Sequence, residues 1–508
     1  MDKGLRPVRR ALISVFHKEP ARELVECLHR NGAELFSTGG TLAFIRGMGL
    51  PVRAVEELTG YPSILGGRVK TLHPAVFGGI LARGDQVGDQ DELNQYNIPA
   101  FDVVVVDLYP FEEAATSHAD HADVIEKIDI GGISLIRAAA KNYRDVLVVP
   151  SPEFFAGAIQ QIEQGGGQTN LADRRRFAAA AFELSSHYDT AIFSYLDQGH
   201  TPVFKQSISQ SLALRYGENP HQQGRYFGDL DALFEQLGGK PLSYNNLLDI
   251  DAALQVMHNR SGACFAIIKH TNVCGMAVRK DLSEAWKDAL AGDPVSAFGG
   301  ILIANGDITE AVAADINGLF FEVLIAPGFD KEALGLLRKK KNRIILKRKD
   351  SPPAVEGFRS ILNGVLWQSA DTGEVLPECW THPTKIKPPP AREQDLLFAN
   401  WVVRHLKSNA IALVKNMQLI GTGMGQTSRV DALNQAIAKA NAMGHSLQDA
   451  VMASDAFFPF PDCVEIAHKA GIAAVIQPGG SVRDQESIRY CDEAGMAMAF
   501  TGRRHFKH

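Results

Sequence analysis

Short apolar runs alternate with helical patterns over the first 150 residues of the chain. Residues 20–31 predict a helix with Leu24, Val25 and Leu28 on one face. Runs that are apolar throughout are typical of strands buried on both faces of a parallel sheet. Strands are predicted at 11–16, 33–36, 101–106 and 146–149. Strands separated by helices predict an α/β fold with a parallel sheet, in which ligands bind beyond the carboxyl ends of the strands.

Two breaks in this patterning divide the rest of the chain. A helical stretch at 171–196 is followed by a polar segment, 199–211, which has no helical period and predicts a domain boundary. The second break, 368–394, contains Pro388-Pro389-Pro390. Because three consecutive prolines cannot continue a helix or a central strand, this segment is predicted to be a connector.

The region after residue 210 contains a candidate internal repeat. The strand-like run that ends in Lys269-His270 matches a run that ends in Lys415-Asn416, 146 residues later. Pro327-Gly328 likewise matches Pro478-Gly479, at an offset of 151. These offsets favour a duplication, although short apolar runs also match by chance. If the unit is duplicated, only its first copy keeps an imidazole that can act as a base.

Composition and charge narrow the class of protein. The 508 residues carry 52 Lys and Arg against 58 Asp and Glu, and the net charge of −6 disfavours non-specific nucleic-acid binding. No apolar run approaches the length of a membrane-spanning helix, and the run near the N-terminus is too short for a signal peptide. Six irregularly spaced Cys, without a Cys-x-x-Cys pair, indicate reduced thiols in a cytoplasmic protein.

Three candidate motifs lie in the predicted α/β region. Ser37–Thr41 follows a predicted strand and begins a predicted helix. The motif suits anion binding by the free backbone N–H groups of the helix start, but it is also typical of an ordinary capped helix. Gly66–Pro74 combines glycines with two cations, a hydroxyl and an imidazole, which suits a phosphate monoester but is also typical of a solvated basic loop. Asp129 precedes a helical run that ends near Lys141, whose spacing alone indicates a surface lysine.

The second part of the chain has three further candidates. Lys269-His270 follows a strand and fits a general base with an electrostatic partner, or ordinary strand-end polar residues. Residues 454–462 mix Phe with carboxylates, which suits a flat heterocycle bearing amines, or a core turn. The basic run 338–349 indicates a solvated loop, or else a site for a polyanionic substrate tail. The signatures of zinc deaminases, HExxH metalloproteases and α/β-hydrolases are absent from the sequence.

Together these motifs closely resemble those of the bifunctional purine-biosynthesis proteins that join AICAR transformylase to IMP cyclohydrolase. The resemblance covers nearly the whole chain and follows the family's order. It is carried by Thr38–Thr41, Gly67–Pro74, Leu108–Phe111, Ile128–Gly132, Leu214–Gly217, Lys269-His270, Gln426–Arg429, Ser454–Phe460 and Arg504–His508.

The resemblance implies a fold and a domain division. Residues 1–199 are expected to form a cyclohydrolase domain that resembles methylglyoxal synthase, an α/β sandwich with a parallel sheet. Residues 200–375 and 376–508 are expected to form tandem cytidine-deaminase-like transformylase subdomains that lack zinc. A homodimer that shares the transformylase site across its interface is also implied, with no metal, nucleic-acid or membrane partner.

The first implied reaction is formyl transfer from 10-formyltetrahydrofolate to AICAR. His270 is assigned as its base, and Lys269 as the group that stabilises the oxyanion or protonates the departing folate nitrogen. By resemblance, AICAR is bound by Arg215, Tyr216, Asn246, Phe298, Gly299, Glu322, Asn409, Arg429 and Arg504. The folate co-substrate is contacted by Val430, Phe457, Asp462, Ser481 and Val482.

The second implied reaction closes formyl-AICAR to IMP with loss of water. It needs no cofactor, so its site has to position the nucleotide and transfer protons. The resemblance places the nucleotide on Ser14, Lys18, Thr38, Gly39, Gly40, Thr41, Arg68, Thr71, Asp107, Ile130 and Gly131. The reacting groups are expected near Lys70, Tyr109, Asp129 and Lys141. Lys141 is assigned to proton transfer, Asp129 to orienting the amide and Lys70 to stabilising negative charge.

The sequence departs from the family's pattern at this second site. Phe16-His17 replaces the usual Ser-Asp, and Asp107 replaces Asn. The Asp107 carboxylate is expected to repel the nucleotide unless it is protonated or turned toward Lys18 or Lys70, so Asp107→Asn is expected to tighten binding or speed closure. One rival is therefore a transformylase with an impaired N-terminal nucleotide-binding domain. Another is a non-catalytic nucleotide sensor, against which Lys269-His270 argues.

Overall fold

A computed structural model describes residues 4–117, 119–352, 354–373 and 375–508. The chain divides into two compact units, one ending at Ser209 and the other running from Gln210 to His508. This division falls within the polar segment 199–211, where the sequence predicts a domain boundary. No described helix is both long and apolar enough to cross a membrane.

The first unit contains β1 (Arg6–Pro7), β2 (Arg10–Ser14), α1 (Arg22–Arg30), β3 (Glu34–Ser37), α2 (Gly39–Gly47), β4 (Arg53–Ala54), α3 (Val55–Thr59), α4 (Pro74–Leu81), α5 (Val87–Gln95), β5 (Val103–Val106), α6 (Phe111–Thr116), α7 (His121–Ile125), α8 (Gly131–Lys141), β6 (Leu147–Val149), α9 (Phe155–Gln164), β7 (Gln168–Thr169) and α10 (Leu171–Asp197).

A parallel sheet forms the centre of this unit. Its strands lie in the order β4-β3-β2-β5-β6. All four Val of β5 are buried, as expected for a central strand that is covered on both faces. Helix α1 packs with α9, whereas α8 packs with α4 and α10. The predicted α/β class with a parallel sheet is therefore confirmed, and the predicted strands and helices lie within about two residues of the observed ones.

The second unit contains β8 (Ser211–Leu214), β9 (Gly224–Phe227), β10 (Phe234–Gly238), α11 (Tyr244–Met257), β11 (Ala263–Lys269), β12 (Asn272–Arg279), α12 (Leu282–Gly292), β13 (Ile301–Ala304), α13 (Glu310–Ile316), β14 (Val323–Ala326), α14 (Lys331–Leu337), β15 (Ile344–Arg348), β16 (Glu356–Ile361), β17 (Gly364–Ser369), α15 (Pro390–Arg404), β18 (Ile411–Lys415), β19 (Gln418–Gly423), α16 (Arg429–Ala442), β20 (Val451–Ser454), α17 (Asp462–Lys469), β21 (Ala474–Gln477), α18 (Asp484–Ala494) and β22 (Ala497–Phe500).

One mixed sheet runs through this unit in the order β10-β15-β14-β13-β11-β12-β19-β18-β20-β21-β22. Its two halves have the same arrangement on either side of the β12–β19 pair. In each half, an antiparallel hairpin, β11–β12 or β18–β19, is followed outward by three mutually parallel strands. Both hairpins shift register at matching positions, Ile267/Ile268 and Leu413/Val414. This symmetry is the one that a duplication with an offset of 146 residues predicts.

The connector predicted at 368–394 is too long at both ends. Strand β17 runs to Ser369, and helix α15 begins at Pro390, the third of the consecutive prolines. Proline at the first helical position sacrifices no intrahelical hydrogen bond, because that N–H has no partner in a helix, and its fixed φ suits the helix. The triple proline therefore starts a helix here.

The basic run 338–349 is also less solvated than the sequence predicts. Arg343 is buried, lies 4.0 Å from the centroid of the Phe321 ring, and donates hydrogen bonds to the backbone of Asn317 and Leu319. Three other cations donate to carbonyls of neighbouring segments: Arg338 to Leu237, Lys340 to Asn317 and Lys349 to Asp231. Half of this charged run therefore binds the unit's own backbone.

Candidate active sites

The carboxyl ends of β2, β3 and β5 meet at one edge of the parallel sheet in the first unit. Ser14 ends β2, Thr38 follows β3, and Asp107 follows β5. Thr41 joins two of these ends, because its Oγ1 accepts a hydrogen bond from Val15 N at 3.1 Å and donates one to Val15 O at 3.0 Å. The edge therefore has a fixed backbone framework where an α/β sheet normally binds ligands.

Two lysines lie against the N-terminus of α2. A Cβ atom on Gly39 would lie 2.8 Å from Lys70 Nζ, and one on Gly40 would lie 3.1 Å from Lys18 Cε. Gly39 also has a φ of +56°, which favours glycine. A helix N-terminus presents free N–H groups and a partial positive charge, so with two ammonium groups it forms a site suited to a phosphate.

Asp129 lies at the start of α8, where its Oδ1 accepts a hydrogen bond from Gly132 N at 2.6 Å. Burial raises the pKa of this carboxyl, while backbone hydrogen bonds and the charge of Lys70 oppose the rise. Burial, and then the charge of Asp129, raises the pKa of Tyr109. Asp129, Lys70 and Tyr109 are therefore coupled electrostatically, as groups that share one site have to be.

Tyr188 supports this cluster, and sequence reasoning missed it. Its hydroxyl accepts a hydrogen bond from Asp129 N at 2.9 Å and donates one to Lys127 O at 2.7 Å. Burial raises the pKa of Tyr188 to about 12, so the hydroxyl stays protonated. A tyrosine in the middle of the long helix α10 gives no sequence signal for this role, which depends on tertiary packing.

The other candidate nucleotide-binding residues of the first unit differ in burial and in their contacts. Thr71 is buried, and its Oγ1 lies 2.9 Å from where a Cβ on Gly131 would be. Ile130 is 55% exposed. Arg68 forms an ion pair with Glu126 at the surface. Thr71 and Gly131 are thus in contact, whereas Arg68 is held by an acidic partner that the sequence did not indicate.

Lys141 lies away from this cluster. It is the last residue of the unbroken helix α8, about 15 Å along the axis from Gly131 at a rise of about 1.5 Å per residue. Its side chain lines a different cavity, of about 650 Å³, together with Arg137, Tyr143 and Arg175. The structure of this single chain does not bring Lys141 to Asp129, and its proton-transfer role stays a prediction.

The Asp107 carboxylate has a partner in the structure, while its expected repulsion of a nucleotide stays a prediction. Asp107 turns toward neither Lys18 nor Lys70. Its Oδ2 accepts a hydrogen bond from His17 N at 2.7 Å and lies 2.8 Å from His17 Nδ1. The two departures from the family's pattern are thus in direct contact with each other. Because 90 positions separate the two residues, their pairing is not visible in the sequence.

The candidate transfer residues of the second unit lie in the turn of the β11–β12 hairpin. His270 and Thr271 have φ values of +51° and +62°. The Asp249 carboxylate holds this turn, because it accepts hydrogen bonds from His270 N at 3.2 Å and Thr271 N at 2.6 Å. Burial raises the pKa of Asp249, and these two hydrogen bonds oppose the rise. The His270 side chain is exposed, while Lys269 Nζ donates to Phe298 O at 2.7 Å.

The matching turn of the β18–β19 hairpin has the same construction. Asn416 and Met417 have φ values of +52° and +56°. Asp395 accepts hydrogen bonds from Asn416 N at 2.8 Å and Met417 N at 2.6 Å. Lys415 Nζ donates to Gln448 O at 2.6 Å. Asp249 and Asp395 are themselves 146 positions apart, so the repeat includes the residues that hold the turns.

A second polar cluster surrounds Arg429 at the start of α16. Its guanidinium donates to Ser454 Oγ at 2.9 Å, to Asn409 Oδ1 at 2.9 Å and to Asp455 Oδ1 at 2.8 Å. Asp455 is fully buried. Asn409 and Arg429, both expected to bind AICAR, are thus in contact, and Asp455 is a partner whose role the sequence did not specify.

Hydrogen bonds connect the surroundings of the β11–β12 turn, the Arg429 cluster and the end of the chain. Asn272, two residues after His270, accepts a hydrogen bond from Lys407 N at 3.2 Å. The chain end also returns to this place, because His505 N donates to Asp455 O at 2.9 Å. The His270 turn, the Arg429 cluster and the segment that carries Arg504 therefore lie in one neighbourhood.

The other transformylase candidates are placed as follows. Phe298 is 60% exposed and its ring centroid lies 5.0 Å from that of Phe320, against which Gly299 packs. Glu322 pairs with Lys240 at 2.5 Å. Asn246 is buried in the capping box of α11. The remaining candidates lie on exposed or half-buried segments: Arg215 and Tyr216 after β8, Val430 in α16, Phe457, Asp462 at the start of α17, and Ser481 and Val482 before α18.

No group of three or more His, Cys, Asp or Glu side chains in the described ranges is arranged to hold a metal ion. Both sites instead consist of lysines, tyrosine and carboxylates in the first unit, and of lysine, histidine and arginine in the second. Cations beside helix starts and strand ends suit anionic substrates such as phosphorylated nucleotides.

Two family models match parts of the chain. A family model described as an MGS-like domain matches residues 21–134, which contain the Gly39 and Lys70 edge of the parallel sheet. A second model, described as the AICARFT/IMPCHase bienzyme, matches residues 139–439. The first unit is thus of the MGS-like α/β class.

Full-length relatives match almost the entire chain. The "Bifunctional purine biosynthesis protein PurH" of Bacteroides thetaiotaomicron is 56% identical over 502 residues, which cover 99% of each chain. Proteins with the same name from Chloroflexus aurantiacus and Rhodopirellula baltica are each 45% identical, over 99% of this chain and 100% and 99% of theirs. The chain belongs to the AICARFT/IMPCHase bienzyme family.

Proposed function

We propose that the chain is a bifunctional enzyme of purine biosynthesis. It transfers a formyl group from 10-formyltetrahydrofolate to the 5-amino group of AICAR and then closes formyl-AICAR to IMP with loss of water. Full-length identity of 56% to a relative named as bifunctional supports both activities. The observation that carries the proposal is the His270 imidazole, exposed beside Lys269 on a turn that Asp249 holds.

Formyl transfer is assigned to this turn. The amine of AICAR is a weak nucleophile, since its lone pair is delocalised into the ring and the carboxamide. As the amine attacks the formyl carbon, His270 accepts its proton, which contributes about 10²- to 10⁴-fold to the rate. The Lys269 ammonium stabilises the oxyanion, or protonates the folate nitrogen as its bond to the formyl carbon breaks.

Binding of the two substrates of this step is assigned to the surroundings of the turn. Phe298 offers an exposed aromatic face, and Arg429 with Asn409 offers hydrogen bonds close to the turn. The full proposed AICAR set also includes Arg215, Tyr216, Asn246, Gly299, Glu322 and Arg504. The folate co-substrate is assigned to Val430, Phe457, Asp462, Ser481 and Val482.

Ring closure is assigned to the first unit. The carboxamide nitrogen attacks the formyl carbon, and the formyl oxygen leaves as water after it takes up protons. Lys18, Lys70 and the start of α2 would bind the phosphate, since they concentrate positive charge there. Asp129 would orient the carboxamide, Tyr109 and Lys70 would face the reacting atoms, and Lys141 would transfer the proton.

We further propose the domain bounds 1–199, 200–375 and 376–508, with tandem cytidine-deaminase-like subdomains that lack zinc in the last two. The matching halves of the mixed sheet support this division. A homodimer is proposed because the hairpin β16–β17 exposes Phe358, Leu366 and Trp367, and a lone two-stranded hairpin is barely stable in water. The protein is placed in the cytoplasm.

A two-product assay tests the proposed function. The full chain is incubated with AICAR and 10-formyltetrahydrofolate, while tetrahydrofolate and IMP are followed separately. We expect both products, and IMP also from supplied formyl-AICAR. Tetrahydrofolate without IMP would support the impaired-domain rival, and turnover of neither substrate would support the sensor.

A variant and a truncation locate the closure step. Lys141→Ala is expected to stop closure and spare formyl transfer. A chain that ends at Ser209 is expected to close formyl-AICAR. The truncated chain ends at Ser209 rather than at residue 199 because Ser207 and Ser209 form hydrogen bonds with His187 and Glu183 of α10. An inert truncated chain, beside a full chain that closes the ring, would contradict the assignment to the first unit.

A further inference from the structure

The pair His17–Asp107 lies at the candidate ligand-binding edge of the first unit, and His17 has no role in the proposed function. Asp107 follows β5, and His17 lies in the loop after β2, so both stand at the carboxyl ends of neighbouring parallel strands. The Asp107 side chain is 6% exposed, whereas that of His17 is 46% exposed. The carboxylate is thus inside the protein, and the imidazole is accessible at the edge where an α/β sheet normally binds ligands.

The loop that carries His17 is held at several points. Val15 bonds through both its N–H and its carbonyl to Thr41 Oγ1, and the carbonyl of Lys18 accepts Ala21 N at 3.1 Å. Between them, the backbone N–H of His17 donates to Asp107. The position of His17 is therefore defined by its backbone as well as by its ring.

The direction of the imidazole follows from the chemistry of its partner. An ionised carboxylate only accepts hydrogen bonds, so the Nδ1 atom of His17, 2.8 Å from Asp107 Oδ2, carries a hydrogen. In the neutral ring the other nitrogen, Nε2, is then an acceptor. A buried carboxylate that fixes the tautomer and direction of an exposed imidazole is a common way to prepare that imidazole for a ligand.

The neighbours of His17 indicate which part of a nucleotide it meets. Lys18, the next residue, lies against Gly40 at the proposed phosphate site. Phe16, the preceding residue, makes an edge-to-face contact with Tyr109 at the proposed reaction site, with ring centroids 5.5 Å apart. In a nucleotide, the ribose lies between the phosphate and the base, and its hydroxyls are hydrogen-bond donors.

We propose that Nε2 of His17 accepts a hydrogen bond from a ribose hydroxyl of the nucleotide, and that Asp107 is a positioning residue that acts through His17. The inference deepens the proposed cyclohydrolase site and rests on it. It also reverses the effect first expected of Asp107→Asn. The substitution now weakens nucleotide binding, because an amide in place of the carboxylate holds the imidazole less firmly.

The test compares the binding of IMP and of 2′,3′-dideoxy-IMP to the full-length protein. The second ligand lacks both ribose hydroxyls, so the ratio of the two dissociation constants isolates the contact. His17→Ala is expected to reduce the preference for IMP by about 2- to 10-fold, the value of one neutral hydrogen bond. His17→Asn gives the same loss while its amide keeps a donor for Asp107, which guards against a folding defect.

Asp107→Asn separates positioning from direct contact. We expect it to reduce the preference for IMP in the chain with His17, and to change nothing in the chain with His17→Ala, because the two residues act as one. Asp102→Asn is the matched control. Asp102 stands at the opposite end of β5 and accepts Arg9 N and Arg10 N at 2.8 and 2.9 Å, so its loss perturbs the same strand without changing the preference.

Three results would overturn the inference: an unchanged preference in both His17 variants, an equal effect of Asp107→Asn with and without His17, or tighter binding of both ligands by Asp107→Asn. Binding is measured without turnover, so the inference and the proposed function fail separately. A protein that binds IMP with this preference but does not close formyl-AICAR would refute only the proposed function.

Discussion

The two hairpin turns of the second unit share a backbone and differ in one functional side chain. In each, an Asp accepts hydrogen bonds from two consecutive N–H groups at positive φ, and a Lys before the turn donates to a carbonyl. The first turn then presents His270 and the second presents Asn416. The two Lys also bind equivalent carbonyls, because Phe298 and Gln448 each lie three residues before the strand that pairs with the hairpin, β13 or β20.

This comparison separates the residues that stabilise the turn from the residue that is proposed to act in catalysis. Each turn needs its own carboxylate, Asp249 or Asp395, because the backbone N–H groups at positive φ need a hydrogen-bond acceptor. Under the proposed function, only the first turn needs an imidazole. Lys269 joins that turn to Phe298, and the Arg429 cluster adjoins it, so we propose that the second turn keeps the geometry without acting as a base.

The largest expected effect comes from exchanging the side chains of the two turns. His270→Asn is expected to lower the rate of formyl transfer by about 10²- to 10⁴-fold, because the proton acceptor is lost. Adding Asn416→His to that variant is expected to restore nothing, since the second turn lacks the surroundings of the first. Initial rates of tetrahydrofolate release measure this. Recovery of transfer in the exchanged chain would show that the two turns are equivalent.

Removing the carboxylates that hold the turns is expected to have unequal consequences. Asp249→Asn and Asp395→Asn should each lower the free energy of unfolding by about 1–3 kcal/mol, because one of two backbone N–H groups loses its acceptor. Only Asp249→Asn should also slow formyl transfer, by about 10- to 100-fold, because it displaces His270. Equal slowing by both variants would mean that the second turn takes part in the reaction.

The smallest expected effect is on the pH dependence of stability. Burial raises the pKa of both Asp249 and Asp395 above the ordinary value in the native state. The folded state therefore binds these protons more tightly, so each group's contribution to the free energy of unfolding falls as the pH rises between the unfolded and native pKa values, and is constant above them.

Asp395→Asn is expected to remove the part of the pH-dependent fall in the free energy of unfolding that Asp395 contributes. The rate of formyl transfer should not change. Urea unfolding between about pH 4 and 7, followed by tryptophan fluorescence, measures the slope. All four Trp of the chain, at 286, 367, 380 and 401, belong to the second unit, so the signal reports on that unit. An unchanged slope would contradict the raised pKa.

The sequence predicted most of the fold, for physical reasons. Four apolar runs identified four of the five strands of the parallel sheet, since burial on both faces leaves few polar positions. The repeat was found because its landmarks kept a near-constant offset. The helix that starts at Pro390 was missed, because a proline that prevents a helix and one that begins it have the same local sequence.

The candidate sites were predictable only where the chemistry is local. Gly39, Gly40, Lys269 and His270 belong to short motifs, whereas Asp249, Tyr188 and Asp455 act through contacts across many residues. The pairing of His17 with Asp107 shows the same limit. Each residue departs from the family's pattern in the sequence, yet only the structure shows that the two are in contact.

The most direct test of the account is to measure both reactions in the full chain carrying His270→Ala. The account predicts that IMP forms from supplied formyl-AICAR at the wild-type rate, while formation of IMP from AICAR and 10-formyltetrahydrofolate is lost. Loss of both reactions together, or near-normal formyl transfer, would contradict the assignment of one reaction to each unit.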